Sequence, residues 1–186
     1  TPLTLLLLTW ILGRLAMALG GSLPAGSAAI IDQFFLPAAA VALAYPLIRV
    51  KQWRNILFIP ILLALAALNG LSHQSVKTGD LSSAMRALYG AIMLITLLVA
   101  IIGGRVIPMF TANGTGTLKV EAIKWLDRLS LLSLLLTVVI AVSPPGSLPG
   151  PVSASMYLVA ALLTGWRFAR WGCWRCWQAP LLWSLP

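Results

Sequence analysis

The chain has 186 residues, 60% of them hydrophobic and only 9% charged, with a formal net charge of +9. An ordinary soluble domain carries about 25% charged residues, so the charges here are too few to cover a water-facing surface. Composition excludes a soluble globular fold and points to lipid as the solvent.

Six apolar runs follow in chain order, about 3–19, 28–48, 56–71, 82–102, 129–142 and 152–168, and a further apolar segment opens at 180–186. Each approaches the roughly 20 residues that cross a bilayer as a helix. None alternates apolar and polar residues at every second position, as barrel strands would. The predicted class is all-α: a polytopic transmembrane helical bundle, with six spans in one transmembrane domain over 1–186. The connections "GGSLPAGS" and "VSPPGSLPG" are rich in the residues that turn a chain. The chain begins on a helix without a methionine and stops inside an apolar segment, so it is expected to be an internal fragment of a longer membrane protein.

Basic residues set the expected orientation. Arg49, Lys51 and Arg54 follow the second run; Arg105, Lys119, Lys124 and Arg128 follow the fourth; Arg167, Arg170 and Arg175 follow the sixth. These are ten of the thirteen Lys and Arg residues, and the opposite loops hold only Lys77. The bias places those three connections in the cytoplasm. It also explains the net charge without nucleic acid, since no basic run is interleaved on a soluble face. The tryptophans mostly fall near span ends, as interfacial anchors do.

Polar residues inside the runs are the candidates for function. Arg14 in the first span and Asp32 in the second are expected at similar depth, about 6–8 Å in, and to pair. Arg86 is a second basic candidate in the fourth. His73, the single histidine, lies beside Asn69 at the outer end of the third run. Two readings stand for it: a solvated residue at a helix end, or a metal or haem ligand. Met17, Met85, Met93, Met109 and Met156 are soft donors or core filler. Cys173 and Cys176 form a lone C-x-x-C, inert, metal-binding or redox-active. No Ser/His/Asp set, carboxylate pair or phosphate-binding glycine loop is present. Gly103 and Gly104 are expected to end the fourth span, leaving Arg105 at the interface. "VIPMF" would then lie along the surface or dip back, with Pro108 preventing helix continuation.

"GRLAM" at 13–17, "DQFFLP" at 32–37, "WRN" at 53–55, "GGRVIPMFT" at 103–111 and "LDRLS" at 126–130 occur in that order. They resemble the middle of the NnrS family of bacterial inner-membrane proteins, over nearly the whole chain. The resemblance implies haem and copper as cofactors and a role in the response to nitric oxide and nitrosative stress. The expected partners are the lipid bilayer and nitric oxide or a related small ligand. A ligand role for haem or metal transfers to His73, while Arg105, Pro108 and Thr111 transfer as signature residues. Arg105 could hold a haem propionate or an anionic substrate through its bidentate fork. The family's His-Glu-Met run is absent, and the C-x-x-C has no counterpart in the family pattern. On the residues alone, a small-solute transporter or channel-like component remains the alternative, with Arg14, Asp32, Arg86 and His73 lining a polar path. A purely structural membrane subunit would need neither haem nor path.

Overall fold

The structure, a computed structural model, describes residues 2–24 and 26–172. Among them all regular structure is helical: α1 (Pro2–Ala18), α2 (Ser27–Gln33), α3 (Phe35–Arg49), α4 (Phe58–Thr78), α5 (Leu81–Thr115), α6 (Lys124–Val142) and α7 (Gly150–Ala169). Five helical stretches are long and apolar enough to cross a membrane, α2 and α3 together making one of them. The 17-residue α1 is the sixth apolar helix. Helices of this kind expose their large apolar side chains: on α5, Leu88, Ile92, Ile95, Val99 and Ile102 lie on the outside while Ala87, Leu94, Leu97 and Ala100 are buried. A large apolar exterior, with alanines among the buried residues, is the pattern lipid selects. The chain divides into two compact units, with the boundary inside α5 after Ala91.

In the first unit, α1 packs on α2, and α3 on α4. The second predicted span is broken at Phe34, and Pro37 supplies the reason. It has no N–H to offer the Gln33 carbonyl, and its ring collides with a helical carbonyl four residues back. The Phe34 N–H turns instead to Ile31 O at 3.3 Å, and Ala38 N–H restarts the ladder on Phe34 O. Asp32 and Gln33 are thereby left at the end of a short helix.

α4 continues to Thr78, past the end of the apolar run. His73 therefore sits inside a helix and not at its terminus. The helix closes on Gly79, whose φ of 77° is a left-handed conformation that glycine adopts without strain, and Asp80 N–H reaches back to Ser75 O at 2.9 Å. Asp80 then caps α5, accepting from the Ser83 N–H at 3.1 Å and from the hydroxyls of Ser82 and Ser83 at 2.8 and 2.5 Å. These bonds, those to Ser83 foremost, hold its carboxyl down at about 2 against an ordinary 3.8. A lowered pKa means the cap contributes fully above pH 3.8 and is lost as pH falls toward 2. The protection of the Ser83 amide, relative to an unstructured peptide at the same pH, should accordingly fall over that interval, and in Asp80→Ala it should be low throughout. A Ser83 amide equally protected in the variant would remove the cap.

α5 corrects one sequence expectation. Gly103 and Gly104 do not end the span, and "VIPMF" is neither surface-lying nor re-entrant; one 35-residue helix runs through Arg105 and Pro108 to Thr115. At 1.5 Å per residue it is about 52 Å long, well beyond the roughly 30 Å hydrocarbon core. Pro108 is tolerated because its flanks are held laterally: Ile107, Pro108 and Thr111 are buried, and α7 clasps the helix one turn earlier, as described below.

Candidate functional site

The polar residues of the first unit gather on one buried carboxylate. Asp32, only 5% exposed, receives the Arg14 Nη2 on Oδ1. Asn69 Nδ2 donates to Asp32 Oδ2 at 3.0 Å, and His73 Nε2 lies 3.1 Å from the same oxygen. Gln33 extends the chain: its Oε1 accepts from Asn69 at 3.2 Å and its Nε2 donates to Ala66 O at 2.7 Å. Arg14 keeps 56% of its side chain exposed, so the pair is buried at the aspartate end alone.

Local sequence explains how these atoms meet. Ala66, Asn69, Gly70 and His73 follow the i, i+3, i+4, i+7 spacing that places them on one helix face. Gly70 admits Gln33, since a Cβ there would stand 3.3 Å from Gln33 Nε2. Gly13 does the same for α1: a Cβ would lie 3.2 Å from both the Cα and Oδ1 of Asp32. Two missing side chains thus let three helices close on one acid. A cavity of about 550 Å³ opens beside the cluster, between the α2–α3 bend and α4. Ala29, Ile30, Phe34 and Pro37 form apolar walls, with His73 and Lys77 on the α4 side.

Of the residues singled out from sequence, Arg14, Asp32 and His73 come together here. Arg86 does not join them; its guanidinium donates to Ser82 Oγ at 3.3 Å and Ser83 Oγ at 2.5 Å beside the α5 cap. Arg105, Pro108 and Thr111 lie in the second unit, where Thr111 is 3% exposed and Arg105 half-buried. Cys173 and Cys176 fall outside the described residues, as does the segment 180–186.

A second cluster was hidden from sequence reading. Arg167, counted there among the cytoplasmic tail charges, is buried in the last turn of α7. Its Nε donates to Asp127 Oδ1 at 2.5 Å and its Nη1 to Ala100 O at 2.8 Å. Its Cζ lies 5.3 Å from the centre of the Trp171 ring. The guanidinium covers Gly104, and Trp171 lies against Gly103, where an added Cβ would be 3.1 Å from its ring. The glycine pair is therefore a landing surface for α7, and Arg167 ties α5, α6 and α7 together. The available signal was the Asp of "LDRLS", which precedes the predicted run at 129–142 and proves to lie in the first turn of α6.

The residues can be tested against the cofactors the family implies. One imidazole, its Nε2 on a buried carboxylate, lines a groove within the roughly 300–1,000 Å³ of small-molecule sites. Among the described residues no three His, Cys, Asp or Glu side chains come together as a metal site.

Fold and site together define a helical integral membrane protein with a histidine–carboxylate cluster within its apolar helices. The family model for the NnrS protein matches residues 1–186, and the chain belongs to the NnrS family. Neither a curated protein nor a solved structure matches it.

Proposed function

We propose that this protein serves the response to nitric oxide and nitrosative stress from the bacterial inner membrane, with haem in the groove beside His73. Family membership supports the role, and one observation carries the site: the single imidazole of the chain lines an apolar-walled groove. Bound haem would supply an iron able to take nitric oxide. His73 would help hold the haem, with a methionine as a further donor. Ala29, Ile30, Phe34 and Pro37 would keep water from the ring, and Lys77 would meet carboxylates at the rim. Arg105 is the proposed anion contact of the second unit, for a propionate or an anionic substrate. The proposed orientation keeps the loops after α3, α5 and α7 in the cytoplasm.

Purified full-length protein should show a Soret band, and His73→Ala should lower the haem content or move that band. Cys173→Ser with Cys176→Ser should leave both alone. Unchanged stoichiometry and spectrum in the His73 variant would return this residue to a packing role. A haem-free intact protein would favour the transporter reading, which rests on the ionisable cluster within the membrane-spanning helices.

A further inference from the structure

We infer that the groove between the α2–α3 bend and α4 binds an anionic phospholipid, its headgroup on Lys77 and Gln74 and one acyl chain along Ile30, Phe34 and Pro37. The inference goes beyond the haem reading and does not use it. Both walls of the groove are graded in the same direction. On α4, Gly70, His73, Gln74 and Lys77 share one helix face, and Lys77 comes last, two residues before the closing Gly79. The opposite wall runs from Gly26, at the start of α2, through Ile30 and Phe34 to Pro37 in α3. The helices meet antiparallel, since His73 reaches Asp32 while Ala66, about two turns earlier, takes Gln33. Gly26 therefore shares the polar end with Lys77, and Phe34 and Pro37 lie deeper. The proposed orientation turns the polar end outward, so the groove has the polarity of an outer-leaflet lipid.

Charge selects the occupant. Lys77 and the Gln74 side chain have no hydrogen-bond or ion-pair partner among the described residues. The first unit holds two acids, and both are engaged: Asp32 by Arg14, Asn69 and His73, and Asp80 by Ser82 and Ser83. An anion for Lys77 must come from outside the unit, and an anionic headgroup lies at the depth where Lys77 ends its helix. Ile30 and Phe34, each more than 60% exposed, offer a chain its wall. They give little preference among lipids, because the tails are as apolar as they are. Preference then rests on the headgroup charge, and one lysine at an anionic headgroup is worth about fivefold.

The test is native mass spectrometry of the full-length protein released from bilayer discs of equal phosphatidylglycerol and phosphatidylethanolamine, which resolves haem-loaded from haem-free molecules. Phosphatidylglycerol should be retained at about fivefold excess over phosphatidylethanolamine. Lys77→Gln, a change at an exposed site, should remove that excess, and Lys51→Gln, beyond the other end of the spans, should leave it. Ile30→Trp, also at an exposed site, should crowd the chain and lower the retention of both lipids. No retained lipid, as a further helix covering the groove would give, would overturn the site. So would equal shares of the two lipids, an excess that persists in Lys77→Gln, or one lost equally in Lys51→Gln. A Lys77-dependent lipid on haem-loaded molecules supports the site and moves haem out of this groove. The same lipid confined to haem-free molecules supports the site with haem as its competitor.

Discussion

Gly104→Ala should destabilise the second unit by about 3 kcal/mol, an unusual cost for one methyl group. The added Cβ would overlap Nη2 of Arg167 and stand 2.8 Å from its Cζ. A flexible arginine would normally swing aside at little cost. This one is 6% exposed, with its Nε on Asp127 and its Nη1 on Ala100 O. Moving it breaks both bonds and leaves a buried charge without its partner, which costs about 3–5 kcal/mol. The control reverses the sign. With Arg167→Ala in place the obstacle is gone, and Gly104→Ala should then stabilise α5 by up to about 1 kcal/mol, the helix preference of alanine over glycine. Thermal unfolding of the four variants in one detergent decides it. A Gly104→Ala effect of the same sign and size in both backgrounds would show that the arginine is not what the glycine accommodates.

The Arg14–Asp32 pair should give the second large effect. Asp32→Ala removes the acceptor for Arg14, Asn69 and His73 at once, and should cost about 3 kcal/mol, the low end for breaking a buried pair. Arg14→Ala should cost less, because Arg14 is already half exposed while its loss strands only one oxygen. The double variant should be more stable than Asp32→Ala alone, since it carries no unpaired cation. Additive losses in this cycle would exclude direct coupling. Gly13 offers an independent check: Gly13→Ala should crowd the same carboxylate, whose Oδ1 would lie 3.2 Å from the new methyl.

The candidate site was legible in its members more than in its geometry. Arg14 and Asp32 stood out because lipid penalises them, and His73 as the single histidine, and each of these signals belongs to one residue separately. The helix break at Phe34 had a readable cause in Pro37, yet the apolar run 28–48 passes over it without a change in hydropathy. The glycine pair misled for a related reason. Gly103 and Gly104 before an arginine and a proline carry the local marks of a helix end, and nothing near them in sequence reveals Arg167.

Composition and periodicity by themselves determined the solvent, the all-helical class, the approximate spans and the short list of costly polar residues. All of these are sums over neighbours along the chain, which is what hydropathy measures. Tertiary structure alone decided who answers each polar group: Asp32 for an arginine 18 residues before it and a histidine 41 residues after it, and Asp127 and Ala100 O for an arginine 40 and 67 residues further on. The continuity of α5 through Pro108 belongs to the same set, because lateral packing holds it. A polar atom in a low-dielectric interior must find a partner wherever the fold brings one, and sequence spacing carries no record of that choice.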